Sequence, residues 1–394
     1  MDKRARIWIL LVVLAAFVLS GCQSTGSQAQ NDDVGVGVKK RIELTDGVEP
    51  HAARFVDNEY YLVAGSLKDV ETDEQNRDWL MLGRVSNSSL YTIYVNDILD
   101  YGRLSVAPID DGCLVQDVWT SDRANDLLKI NFADNSAEEY SLPYALQLTD
   151  YVVTQQQYYL DDGKFLICTQ QTDSDDDRQV STDVRIWKEN VTENSDDSEN
   201  SEANSGLGDV IATLDGNISD VAWAQTGKSL LILSDNGDLV LLDVEQETAS
   251  VRNLPETAHV AAWKEYSQVF SLADNDMAAV SVQCDDGEVV QVLKLGQEDA
   301  EAYEFKIFAD NGKSFSFLGA NGDYVYLLTT DDAGVGEVFY WDYMTDKEGT
   351  VFSTEADGFC IFGGSLSPDG KTLALAAKGE SNNSGCVFLL DLSK

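Results

Sequence analysis

From Arg41 onward the chain alternates short apolar runs of four to eight residues with clusters of Asp, Asn and Gly. Runs of Val, Ile, Leu, Tyr, Phe and Trp between such turn formers predict β-strands, and no long helical periodicity competes with them. The clearest unit is Ile218 to Val244. In it Val221-Ala222-Trp223 leads to a turn at Gln225-Thr226-Gly227-Lys228, then Leu230 to Leu233, a turn at Asp235-Asn236-Gly237, and Leu239 to Val244. Asn-Gly and Gly-Lys supply the positive φ that tight hairpins need, so three antiparallel strands follow.

The same order recurs. Ala320-Asn321-Gly322-Asp323 precedes Tyr324 to Leu328 and then Val338 to Asp342; Ser367-Pro368-Asp369-Gly370-Lys371 precedes Thr372 to Ala376 and then Cys386 to Leu390. Upstream, Asp162-Gly163-Lys164, Asp111-Gly112 and Asp57-Asn58 each open an equivalent pair of runs. His259 to Trp263, Gln268 to Leu272 and Ala278 to Val282 fill the remaining place. First-hairpin turns thus fall near Asn58, Gly112, Gly163, Gly227, Tyr266, Gly322 and Gly370. Seven multi-strand repeats of roughly 40–50 residues predict an all-β, seven-bladed β-propeller.

The last repeat stops after its third strand. Arg41-Ile42-Glu43-Leu44 alternates polar and apolar residues ahead of the first repeat, and is expected to complete the last blade and remove an exposed sheet edge. Trp79, Trp187 and Trp341 share a third-strand position, where packing between blades is favoured over a ligand-stacking wall. Asp243, Asp342 and Asp391 close that strand and read as turn caps rather than catalytic acids.

Composition narrows the chemistry. With 27 Lys+Arg against 69 Asp+Glu, the net charge of −42 leaves no basic surface for phosphates, so nucleic acid is not the expected partner. The only histidines are His51 and His259, too few for a His-based metal site, and no CxxC, HExxH, Walker loop or GxSxG occurs. No catalytic, cofactor-binding or metal-ligating residue is therefore assigned. The run Glu189 to Asn204, rich in Asn, Ser, Asp and Glu, predicts a disordered acidic insertion at about 189–207. Calcium is the sharper alternative there, but no EF-hand spacing supports it.

The amino terminus carries a different signal. Lys3, Arg4 and Arg6 precede the unbroken apolar run Ile7 to Leu19, which as a helix would measure about 20 Å, short of a hydrocarbon core near 30 Å. It reads as a signal h-region. Leu19-Ser20-Gly21-Cys22 resembles the lipobox of bacterial lipoprotein signal peptides. That resemblance implies cleavage of residues 1–21, diacylglyceryl and palmitate on Cys22, and an extracytoplasmic protein held at a membrane. In a host with two membranes, Gln23 in place of Asp resembles the outer-membrane sorting pattern. Residues 22–40 form the expected lipidated tether, and 41–394 the propeller. Outside the cytoplasm disulfides are allowed. Cys113, Cys168, Cys284, Cys360 and Cys386 would remain, and they read as buried free thiols, with one bridge as the alternative.

Ser367-Pro368-Asp369-Gly370-Lys371 also resembles the turn of TolB-like and WD40-like bacterial propellers, and Trp341-Asp342 the dipeptide of WD40 repeats. TolB-like proteins have an additional N-terminal domain for which residues 23–40 leave no room, so no binding residue is carried over. The expected function is a membrane-anchored, non-catalytic scaffold that binds a protein or polymer of the cell envelope. The alternative is a propeller hydrolase of lactonase or glycosidase type, using carboxylates or calcium at the channel mouth.

Overall fold

The computed structural model describes residues 37–44, 47–68, 76–96, 104–109, 111–117, 126–141, 155–161, 164–172, 180–188, 209–223, 229–235, 237–253, 268–271, 277–284, 287–294, 303–308, 313–322, 324–331, 335–354, 358–379 and 385–393. The signal segment, Cys22, the tether up to residue 36, His259 and the acidic run 189–207 lie outside them. Among the described residues every regular element is a strand and none is a helix.

The strands make seven four-stranded antiparallel sheets. Sheets 1 to 6 take residues 48–96, 104–141, 155–215, 218–253, 268–308 and 313–353 in simple up-and-down order. Sheet 7 takes three strands from 359–391, and its fourth strand is Gly37–Glu43. Each sheet touches the next, and sheet 7 touches sheet 1, so the chain is a β-propeller whose first strands line the axis.

The apolar runs follow from burial on both sides. In the second strand of sheet 7, Leu373, Leu375 and Ala377 pack with Tyr326, Leu328 and Val338 of sheet 6. The alternate residues Ala374 and Ala376 pack with Tyr61, Val63 and Met81 of sheet 1. A strand's period of two normally gives one wet face, but here both faces are interfaces and the run is apolar throughout. Further clusters join sheets 1 and 2, 3 and 4, and 5 and 6. The core is therefore a set of wedges between sheets.

Turn chemistry sets the sheet ends. Asp342 Oδ1 accepts from the amides of Met344 and Thr345, Asp243 Oδ1 from Gln246, and Asp391 Oδ1 from Ser393, so these carboxylates are turn caps. In the turn after Leu366, Ser367 Oγ accepts from the Thr372 amide at 3.0 Å and donates to Asp369 Oδ1 at 2.7 Å. Gly370 has φ +68°, and a Cβ there would meet the Asn321 side chain at 2.7 Å. Both neighbouring sheets grip this turn: Asn321 Nδ2 donates to the Gly370 carbonyl at 2.8 Å, and the Asp369 amide donates to Asn58 Oδ1 at 2.8 Å.

The ring is sealed between sheets 7 and 1. Gly37–Glu43 pairs antiparallel with Gly385–Asp391, from Gly37 opposite Asp391 to Glu43 opposite Cys386, and the Leu44 amide extends the ladder to the Gly385 carbonyl at 2.9 Å. The strand begins at Gly37, four residues before Arg41, because a register shift between Val38 and Lys40 carries the pairing onward. Ile42 and Leu44 enter the apolar cluster shared by the two sheets.

One repeat differs from the sequence expectation. Gln268–Ser271 is the first strand of sheet 5 and Met277–Cys284 the second, so the first hairpin closes across 272–276 and not near Tyr266. The expected first strand, His259 to Trp263, lies outside the described residues.

Removing residues 37–43 would uncover the edge of Gly385–Asp391 and open the shared cluster. The expected outcome is a lower Tm with self-association through that edge, read by calorimetry and sedimentation. Gln291, on the third strand of sheet 5, is 0% exposed, and both of its amide atoms lack a hydrogen-bond partner. A buried unpaired polar group costs about 1–3 kcal/mol, so Gln291→Leu should stabilise the fold by roughly that amount in urea titration. Destabilisation would show instead that the amide is paired in solution.

Candidate functional site

The first strands carry matching defects. Their register slips between Pro50 and Ala52 in sheet 1, between Ile218 and Asp220 in sheet 4, and between Ile361 and Gly363 in sheet 7. Counted from the first hairpin these positions correspond, so His51, Ser219 and Phe362 are bulge residues at one level of the axis-lining strands. Bulges re-aim side chains, and His51, Ser219 and Phe362 are the residues re-aimed here.

Sheets 7 and 1 bring two of them together. The rings of His51 and Phe362 meet edge to face, with centroids 6.3 Å apart. Phe362 is 41% exposed, unusual for a phenylalanine on an inner strand. His51 Nε2 lies 2.8 Å from Ser66 Oγ of the next strand, and Lys378 Nζ reaches Glu49 Oε2 at 2.9 Å across the same junction. The Phe55 amide donates to Ser365 Oγ at 2.7 Å, which satisfies one edge group of the inner strand. Ser219 Oγ is buried without a partner.

Charge crosses the axis nearby. Arg54 of sheet 1 is half-buried, and Asp220, next to the bulge of sheet 4, lies within its electrostatic reach. Burial lowers the Arg54 pKa, and the Asp220 charge opposes that shift. A charge on sheet 4 is thus felt by a guanidinium on sheet 1, three places away in the ring. The site offers an aromatic edge, an imidazole, a hydroxyl and charges of both signs, which suits recognition of a peptide-like or polymer segment.

The residues singled out from sequence behave differently from this cluster. Trp341 is buried among residues of sheets 5 and 6 and donates from Nε1 to Asp346 Oδ1 at 3.2 Å, while Trp79 packs against the wedge between sheets 7 and 1. Both are packing residues. Trp187 sits half-buried on its third strand. Cys113, Cys168 and Cys386 are buried free thiols; Cys360 is half-buried, and the Cys284 side chain is outside the described set. No group of three or more His, Cys, Asp or Glu able to hold a metal occurs among the described residues. Sequence reasoning missed His51 with Phe362, because 310 residues separate them and only ring closure joins them; the rarity of histidine was the available signal.

Comparison with solved structures agrees on architecture. The chain resembles the β-propeller domain of Cps50 (Swd1) from Myceliophteria thermophila, with 11% identity over 90% of this chain and 99% of that one and a TM-score of 0.49. It also resembles a chain of the mitotic checkpoint complex, with 9% identity over 91% of this chain and 96% of that one and a TM-score of 0.51. No protein-family model and no curated protein matches the chain. At such identities the likeness shows the fold alone, a β-propeller.

The buried thiols give a pH dependence. Burial pushes Cys113 up to about 12, with help from the Asp57 charge, and Cys386 up to about 11. Folded-state pKa values above the unfolded value near 9 contribute stability that is complete below pH 9 and lost as pH rises toward 11–12. Tm should therefore fall above pH 9, and Cys113→Ala should flatten the fall. Maleimide labelling of these thiols should require unfolding; rapid labelling of the native protein would contradict the burial.

Proposed function

We propose that this chain is a lipid-anchored extracytoplasmic lipoprotein whose seven-bladed β-propeller is a non-catalytic scaffold, binding a protein partner of the cell envelope. The observation that carries this reading is the pairing of Gly37–Glu43 with Gly385–Asp391. The strand that begins at Gly37, after residues 23–36, is built into the ring, so an anchor at Cys22 would hold a rigid body by a short length of chain. Rigid propellers present recognition groups on fixed strands and loops. The exposed Phe362 edge beside His51 is the recognition surface with the best-defined chemistry. A net charge of −42 favours a cationic partner and resists self-association.

Cys22 is the lipidation site in this reading, residues 1–21 are removed, and the tether runs to the start of the first strand. Labelled palmitate should enter the wild-type protein, and Cys22→Ala should abolish labelling and release the protein from membranes. Crosslinking in intact envelopes should recover one consistent protein. Truncating an aromatic anchor costs about 2 kcal/mol, roughly thirtyfold in affinity, so Phe362→Ala should weaken that capture by about that factor at unchanged Tm. Capture indifferent to Phe362 would move the binding surface elsewhere.

A further inference from the structure

The direction of the strands distinguishes the two sides of the ring. In every sheet the first-to-second and third-to-fourth turns lie on one side, here termed the hairpin side. It carries 56–59, 85–88, 132–135, 244–247, 343–346 and 367–371. Contacts between sheets confirm the grouping: Asn58 meets Asp369, Asn321 meets Gly370, and Glu247 meets both Lys164 at 3.2 Å and Lys188 at 2.6 Å. Gly37 belongs to this side, because it pairs with Asp391, and the Leu392 amide donates to the Lys371 carbonyl at 2.8 Å in the last hairpin turn.

We propose that the hairpin side of the ring faces the bilayer and the opposite side faces away, free for a partner. This rests on the lipid-anchor reading of Cys22. Residues 23–36 separate Cys22 from Gly37, a contour of at most about 50 Å. The strand of seven residues that they join is about 23 Å long. A chain leaving from the hairpin side meets the membrane directly, whereas turning back across the rim consumes about half of that contour.

The surface chemistry of this side is compatible with a nearby bilayer. Several of its cations are matched by carboxylates: Arg84 with Glu59 at 2.9 Å, Lys371 with Asp369 at 3.3 Å, and two lysines with Glu247. Two hydrogen bonds from lysine hold the Glu247 carboxylate below its ordinary pKa, so the pair stays charged. Met344, 55% exposed, stands on the same side in the turn 343–346.

The test uses the full lipidated chain on phosphatidylcholine–phosphatidylglycerol vesicles that carry a nitroxide on the headgroup. Met344→Cys and Asp331→Cys, each combined with Cys360→Ser, place a fluorophore on the hairpin side and on the opposite side, and the Cys360→Ser chain serves as blank. Vesicle flotation comes first, and quenching should then be at least about twofold stronger at position 344. Equal or reversed quenching on floated protein overturns the orientation and leaves the anchor standing. Failure of the chain to float overturns the anchor reading and this inference with it.

Discussion

The ladder between Gly37–Glu43 and Gly385–Asp391 is the constraint on which the other features depend. Without it sheet 7 would end on an unpaired third strand, and the wedge that holds Ile42, Leu44, Tyr61, Val387 and Leu389 would lie open. A ring has no spare interface: each sheet buries both faces only because the next one is present, and the last must meet the first. The seam is accordingly held several times over, by the ladder, by the turn contact of Asp369 with Asn58, by Glu49 with Lys378, and by Phe55 with Ser365.

Closure also creates the cluster with the most chemical content. His51 and Phe362 are unremarkable apart, one near the start of the first sheet and the other in the last. Their shared bulge position and the meeting of the two sheets place them ring to ring, beside Ser66. Sheet 1 contributes to stability at another point of the same junction, where Tyr61 lies flat on Gly83 so closely that a Cβ would sit 2.1 Å from the ring. Burial of that phenol without a hydrogen-bond partner raises its pKa. The junction thus combines packing that tolerates no added atom with polar groups that remain partly solvated, a combination suited to a fixed recognition surface.

The functional proposal joins two sources of information that meet at one strand. The lipobox resemblance concerns the chain before residue 23, and the propeller concerns the chain after residue 36. Because the first strand completes the last sheet, the anchor position and the ring orientation become one geometric question. Strand polarity puts Gly37, the first residue of that strand, on the hairpin side.

Much of the fold was legible from local sequence. Period-two runs and the Gly, Asn and Asp turns located the strands of most repeats, and Asp243, Asp342 and Asp391 act as the turn caps that their positions implied. The repeat around residue 266 was placed one run too early, because His259 to Trp263 is as apolar as a strand, whereas Gln268–Ser271 is the strand that pairs with Met277–Cys284. Register slips in the inner strands were likewise invisible, since a bulge depends on the partner strand. The sequence by itself determined where strands form and which of their residues must be buried, because those preferences are local. Only the tertiary structure decided which distant residues share a surface, because the contact of His51 with Phe362 and the electrostatic influence of Asp220 on Arg54 exist only once the ring has closed.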